Sequence, residues 1–282
     1  MQIERAREIG LCYGVRRAVG LLRDAAARYG QIETLGPIAH NRLLLAELES
    51  LGVRTVDELS ELSGPVVIVS AHGVSPSVMS TLEERGFTIV DTTCPNVARV
   101  QHLARDLSDQ GFYVVVFGEA NHSEVKGLLG WGGSDSVAAV SADEVRSSYK
   151  DAPPKKIAVI AQTTQRAQDF ASFAGELTAT LLSDIEELRF LNTRCTATES
   201  RQAAAVELAK NVDVMLVIGG YNSSNTRRLA ETCASLVDTH HIEDASELRR
   251  EWLLGKQRVG ITAGASTPDS SIEKLEEKLR AL

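Results

Sequence analysis

Cysteine is scarce in this sequence: four in 282 residues, widely spaced and with no C-x-x-C pair. That excludes a disulfide scaffold and a zinc ribbon. No apolar run approaches the roughly 20 residues that a spanning helix needs, so no membrane segment is expected. Residues 1–8 carry no apolar h-region, and no secretory signal is predicted there. Basic charge is in deficit, 30 Lys and Arg against 38 Asp and Glu for a net charge of −8. Such a balance argues against sequence-independent nucleic-acid binding and against an anionic membrane surface. Also missing are G-x-x-x-x-G-K-S/T, G-x-G-x-x-G and G-x-S-x-G, and His122-Ser123-Glu124 lacks the P-C-x-x-C of a zinc deaminase. What is present is an ordinary interior, 43% apolar and 24% charged, which supports a packed core. The length suits about two domains or three small lobes. A cytoplasmic chain with reduced thiols is the expectation.

Short β-branched runs alternate with helical patterns along nearly the whole chain. Strands are predicted over 66–71, 87–91, 113–118, 157–161, 187–191, 212–219 and 258–262. Runs such as Val114-Val115-Val116-Phe117 and Val214-Met215-Leu216-Val217-Ile218 are continuously apolar, as in parallel sheets covered on both faces. Between them, Val15, Ala18, Val19, Leu22, Ala26 and Tyr29 line one helix face. Ser75-Pro76 opens a second helix that Gly86 closes, and Val97, Val100, Leu103, Ala104 and Leu107 mark a third. Residues 203–210 and 272–282 supply two more. The fold class is α/β with mostly parallel strands. Residues 151–156 read as a surface loop before a strand.

Cys12, Cys94 and Cys195 divide the chain into rough thirds, and each falls where a helix begins. A helix N-terminus offers unpaired N–H groups and the positive end of the helix dipole, which favours the thiolate that metals and iron–sulfur clusters need. One such cysteine reads most simply as a small buried hydrophobe. Three with the same strand-to-helix placement point to ligation. Cys233 lies inside a helical run and reads as core packing. Three thiolates on a four-iron cluster leave one iron without a protein ligand, whereas electron-transfer clusters normally have four cysteines. An open iron can act as a Lewis acid, so the cysteine count points to catalysis.

Reactive residues also follow strand ends, where open α/β sheets bind ligands. They include Ala71-His72-Gly73, Asn121-His122-Ser123-Glu124, Gln162-Thr163-Thr164-Gln165, Asn222-Ser223-Ser224-Asn225 and Ala263-Gly264-Ala265-Ser266. Ser223, Ser224, Asn225 and Ser266 suit helix caps and also donors to an anion. With His40, His72 and His122 in similar loops, a phosphate-bearing substrate fits better than a metal. Glu124 is a candidate general acid. His102, His240 and His241 read as solvated or packing residues.

These residues form an ordered series. Gly10-Leu11-Cys12-Tyr13-Gly14-Val15, Gly36-Pro37-Ile38-Ala39-His40-Asn41, Ser70-Ala71-His72-Gly73-Val74 and Asp91-Thr92-Thr93-Cys94-Pro95 come first. Asn121-His122-Ser123-Glu124-Val125, Gln162-Thr163-Thr164, Cys195-Thr196-Ala197-Thr198, Arg201-Gln202, Asn222-Ser223-Ser224-Asn225 and Gly264-Ala265-Ser266 complete it. The chain thereby resembles the 4-hydroxy-3-methylbut-2-enyl diphosphate reductase (LytB) family along its whole length. That resemblance implies a three-lobed trefoil, with lobes over 13–94, 95–192 and 193–282 and residues 1–12 joining the third. It implies one 4Fe–4S cluster at the centre on Cys12, Cys94 and Cys195. It implies reductive removal of the substrate hydroxyl as water, giving isopentenyl and dimethylallyl diphosphates. The diphosphate would lie among His40, His72, His122, Ser223, Ser224, Asn225 and Ser266, with Glu124 delivering protons and Thr163 beside the hydroxyl. Electrons would arrive singly from a ferredoxin or flavodoxin. Ser123, Tyr221, Arg194 and Thr196 depart from the family pattern.

Two other readings stand beside this one. A quinolinate-synthase-like enzyme with three lobes and three cysteines would lack the Asn-Ser-Ser-Asn and Gly-Ala-Ser motifs. A cluster sensor or electron carrier would need a fourth ligand, which Cys233 would have to supply.

Overall fold

The computed structural model describes residues 1–149 and 152–282. Asp151, the first residue of the predicted 151–156 loop, lies outside the described residues. The chain opens with β1 (Gln2–Arg5), α1 (Tyr13–Tyr29), β2 (Ile32–Leu35), α2 (Arg42–Glu49), β3 (Val53–Val56), β4 (Val66–Val69), α3 (Pro76–Glu84) and β5 (Thr88–Asp91). Next come α4 (Pro95–Asp109), β6 (Tyr113–Phe117), α5 (Ser123–Trp131), β7 (Ser136–Ala139), α6 (Ala142–Ser147), β8 (Lys156–Ala161), α7 (Ala167–Leu181) and β9 (Glu187–Phe190). The remainder is α8 (Thr196–Ala209), β10 (Val214–Ile218), α9 (Ser224–Ala234), β11 (Thr239–Ile242), β12 (Arg258–Ala263) and α10 (Asp269–Arg280). The α/β class expected from the alternating pattern is the class observed.

Among the described residues, three four-stranded sheets share one strand order: β3-β2-β4-β5, β7-β6-β8-β9 and β11-β10-β12-β1. In the last, β1 occupies the edge place that β5 and β9 occupy in the others. Pairing is parallel, with Ile68 opposite Val90, Val115 opposite Val159 and Leu216 opposite Ile261. The continuous apolar runs are the central strands. On one face of the β6–β8 sheet, Val114, Val116, Ala158 and Ile160 pack with Val100, Ala104 and Leu128 of α4 and α5. On the other, Val115, Phe117 and Val159 pack with Phe170, Phe173 and Leu177 of α7. Both faces are covered, so both sets of alternating side chains must be apolar. Val214, Leu216 and Ile218 similarly face α10, while Met215 and Val217 face α8 and α9.

By compactness the chain forms two units. The first contains Met1–Gly30, Pro37–Arg54 and Thr196–Leu282; the second contains Gln31–Gly36 and Thr55–Cys195. Among the described residues no helix is long and apolar enough to cross a membrane.

The shared strand order gives the reactive residues a shared address. Cys94 follows edge strand β5, Cys195 follows β9 and Cys12 follows β1, each just before α4, α8 and α1. The other candidates follow central strands: His40 after β2, His72 after β4, His122 and Glu124 after β6, Thr163 after β8, Ser223, Ser224 and Asn225 after β10, and Ser266 after β12.

Candidate active site

In the second unit the candidate residues form a closed circuit of contacts. Glu124 lies in the first turn of α5, only 2% exposed. Its Oε1 accepts the backbone N–H of Thr163 at 2.6 Å and its Oε2 accepts the Thr163 hydroxyl at 2.8 Å. The Thr163 carbonyl accepts the backbone N–H of Cys195 at 2.9 Å. Cys195 Sγ accepts an N–H from the side chain of Asn96 at 3.3 Å. Asn96 stands two residues after Cys94, whose own N–H donates to the carbonyl of Ala71 at 3.0 Å. Next to Ala71, the His72 ring meets the His122 ring edge-on, with centroids 5.4 Å apart. His122 closes the circuit, because its Nδ1 accepts the backbone N–H of Glu124 at 3.1 Å.

His122 is thus the N-cap of α5 and not a free loop residue as the sequence suggested; Ser123 and Glu124 are already helical. An Nδ1 that accepts leaves the proton of a neutral imidazole on Nε2. Cys94 is the N-cap of α4 with Pro95 in the first turn. After His72 the chain turns at Gly73 with φ +68°, and a Cβ there would come within 2.3 Å of the Gln101 amide. Glycine takes that left-handed turn without strain, and a side chain there would have to displace the Gln101 amide.

The first unit arranges its candidates differently. Cys12 caps α1, its Sγ accepting the N–H of Val15 at 3.5 Å. Its own N–H donates to the carbonyl of Ala265 at 2.9 Å, which sets Cys12 beside Ser266. The Ser266 hydroxyl donates to the carbonyl of His40 at 3.4 Å. A Cβ on Gly220 would come within 2.3 Å of that same carbonyl oxygen, so the β10–α9 loop approaches His40 only because residue 220 is glycine. Ser223 caps α9, accepting the N–H of Thr226, and Ser224 and Asn225 fill its first turn. All three are at least nine-tenths buried. Ser266 suits both a cap and an anion donor by sequence; the cap of α10 is Pro268, and the serine hydroxyl donates to the carbonyl of His40.

Polar atoms are left over in this unit. Nδ2 and Oδ1 of Asn225 and Oγ1 of Thr226 are buried without a hydrogen-bond partner. Each such atom costs about 1–3 kcal/mol. Groups held in this state at a strand end, with serine hydroxyls beside them, fit a ligand rich in acceptor oxygens.

Cys233 packs in the core of the first unit with Ala205, Leu208, Val217 and Leu229, where burial pushes its thiol up to about 12. That disposes of the carrier reading, which needed it as a ligand. His240 stacks on Trp252 and His241 bonds the carbonyl of Gly219, as packing residues do. Tyr221, where the pattern favours lysine, bonds Glu247, and its hydroxyl is pushed up to about 12 by burial and then by that carboxylate.

Two further residues position the candidates. Arg201 is buried and donates twice to the carbonyl of Gly10, at 3.2 and 3.0 Å, and once to Ala197 at 2.9 Å. It ties the segment before Cys12 to α8, and its place in the Arg-Gln motif was the available signal. Asn96 could have been noticed as an amide directly after Cys94-Pro95.

The family described as LytB protein matches residues 3–280. The 4-hydroxy-3-methylbut-2-enyl diphosphate reductase of Dehalococcoides mccartyi strain CBDB1 is 44% identical over 277 residues, covering 98% of this chain and 96% of the relative. The same-named protein of Anaeromyxobacter sp. strain Fw109-5 is 41% identical over 285 residues, covering 100% and 98%. A solved (E)-4-hydroxy-3-methyl-but-2-enyl diphosphate reductase, described as the terminal enzyme of the non-mevalonate pathway, aligns with a TM-score of 0.73 at 37% identity, covering all of both chains. A reductase structure from Plasmodium falciparum aligns with a TM-score of 0.89 at 23% identity, covering 98% of this chain and 87% of the other, and speaks to the fold alone.

Proposed function

The chain belongs to the LytB protein family, and we propose that it reduces (E)-4-hydroxy-3-methylbut-2-enyl diphosphate to isopentenyl and dimethylallyl diphosphates in the cytoplasm. Two electrons and two protons enter, the C–O bond breaks, a C–H bond forms and water leaves. Cys12, Cys94 and Cys195 would hold one 4Fe–4S cluster. All three are half-buried, outside any disulfide and directly before a helix, a soft donor set suited to iron–sulfur chemistry. When bound, the cluster supplies electrons one at a time, received from a ferredoxin or flavodoxin, and a Lewis-acidic iron.

The chain's own residues account for the rest. His40, His72, His122, Ser223, Ser224, Asn225 and Ser266 would bind the diphosphate, with Asn225 satisfying its amide on phosphate oxygens. Neutral donors and helix N-termini, with the Arg227 guanidinium donating to Ser224 Oγ at 3.2 Å, would hold the phosphates, so local donors let a chain of net charge −8 take a polyanion. Glu124 would hold the proton on Oε2. Thr163, its hydroxyl then turned to accept from that oxygen, would pass its own proton from Oγ1 to the substrate hydroxyl, and so convert a poor leaving group into water.

The observation that carries this reading is the buried Glu124 with both oxygens on Thr163 and, through the Thr163 carbonyl, on the backbone of Cys195. The test is anaerobic reconstitution followed by turnover of the allylic diphosphate with dithionite and a viologen. Four irons per chain and both products are expected. A full cluster in Cys12→Ala, Cys94→Ala or Cys195→Ala would overturn the ligand set, and absence of turnover by a loaded chain would overturn the activity.

A further inference from the structure

The circuit of the second unit contains one side chain, that of Asn96, to which no part in proton transfer, substrate binding or cluster ligation has been given. Asn96 occupies the first turn of α4, and its Nδ2 donates to Cys195 Sγ at 3.3 Å. Two local features hold it there. Pro95 starts the helix immediately after Cys94, so the residue next in line projects from the helix's first turn. The Cys195 backbone is pinned from its other side by the Thr163 carbonyl at 2.9 Å. Asn96 is solvent-exposed and lies outside the packed face of α4, which is made by Val97, Val100, Ala104 and Leu107. Core packing therefore does not account for an amide at this position.

We propose that Asn96 is a positioning and tuning residue for the redox centre, resting on the reading of Cys195 as a cluster ligand. An N–H aimed at a ligand sulfur does two things. It fixes the sulfur's direction, as outer hydrogen bonds orient metal ligands generally. It also favours the state with more negative charge on sulfur, which is the reduced one, and so raises the reduction potential. Cluster potentials respond to hydrogen bonds at their sulfurs and to solvent exposure. Cys195 is the half-buried thiol that receives this bond. The short segment Cys94-Pro95-Asn96 thereby serves two ligands at once, one as a thiol and the other through an amide.

The experiment compares wild type, Asn96→Leu, Asn96→Asp and Asn96→Gln after anaerobic reconstitution, by iron count and spectroscopic redox titration. Leucine keeps the volume and removes the donor; aspartate keeps the shape and replaces the donor with an acceptor; glutamine keeps the amide on a longer arm. At a fixed potential near the wild-type midpoint, the reduced-to-oxidised ratio is expected to fall about tenfold in Asn96→Leu, equivalent to about 59 mV for one electron. Asn96→Asp should fall at least as far, and Asn96→Gln should recover part of the loss. Four irons with an unmoved midpoint in both Asn96→Leu and Asn96→Asp would overturn the proposal and leave the cluster reading intact. If either variant loads poorly, the other reads the same quantity, and poor loading of both with normal loading of Asn96→Gln supports the orienting role. A wild-type chain that takes up no cluster, or a Cys195→Ala chain that takes up all four irons, would overturn the underlying reading instead.

Discussion

The two compact units prepare their reactive residues in opposite ways. In the second unit Glu124, Thr163, Cys195, Asn96, His72 and His122 are bound to one another before any ligand arrives. In the first, loops brought together at Gly220 leave the Asn225 amide and the Thr226 hydroxyl buried and unsatisfied. The difference follows the tasks proposed for Glu124 and Thr163 on one side and for Asn225 on the other. A proton has to be delivered along a fixed line, so its carriers gain from being held in advance. An anion is gripped by hydrogen bonds, so the groups that grip it gain from having none beforehand.

The largest expected effect is on the wired side. Glu124→Gln should lower kcat by about 10²- to 10⁴-fold, the usual contribution of a general acid, while Tm stays close to wild type because the amide still accepts from the Thr163 N–H. Turnover near wild type with dithionite and a viologen would remove Glu124 from the proton path. Thr163→Val should also destabilise the apo chain by about 1–3 kcal/mol in denaturant titration, since a buried carboxylate oxygen loses its donor.

The unsatisfied side should respond with the opposite sign. Asn225→Leu is expected to stabilise the apo chain by about 1 kcal/mol, because it removes buried polar atoms that lack partners, and to raise KM for the diphosphate. A lower Tm in this variant would erase the contrast between the units. Gains in stability together with losses in binding would sharpen it.

The smallest effect belongs to a pair outside both sites. Arg5 of β1 bonds Glu276 of α10, and this hydrogen bond holds the Glu276 carboxyl below its ordinary value. A lowered folded value means stability that is present above about pH 4.3, the unfolded value, and is lost as pH falls through the folded one. Glu276→Gln should therefore cost about 1 kcal/mol at pH 7, low for a charged pair because Arg5 is half exposed. Its unfolding should also be less acid-sensitive below pH 4. Neither KM nor kcat should change, which makes it the control for the other variants.

Parts of this molecule could be read without coordinates. Central strands buried on both faces are mostly apolar runs, so β4, β6, β8, β10 and β12 stand out, whereas central β2 (Ile-Glu-Thr-Leu), whose buried Glu33 bonds Ser63 and Gly64, does not. Cysteines before Tyr13, Pro95 and Thr196 mark helix starts because caps and prolines have local rules. Four-residue strands such as β1 (Gln-Ile-Glu-Arg), β7 (Ser-Val-Ala-Ala) and β11 (Thr-His-His-Ile) were missed, since sheet edges carry mixed residues with no clean period. Helix α7 was missed despite buried Phe170, Phe173, Leu177 and Leu181 at helical spacing. The role of His122 as a cap was hidden because the helix it starts was not predicted.

By itself, then, the sequence determined much of which chemistry goes where: thiols before three helices and after two predicted strands, and imidazoles, hydroxyls and a carboxylate after others. It also carried enough ordered motifs to point to the family. Only the tertiary structure decided that the thiol-bearing strands lie at one edge of three equivalent sheets and that the strands carrying the other candidates are central. It alone joined Glu124 to Thr163 across 39 residues and Asn96 to Cys195 across 99. The physical reason is range. Capping, turn and periodicity rules act over a few residues, whereas parallel strands meet only after a helix has carried the chain back, so contacts between their ends depend on sheet order and not on any local pattern.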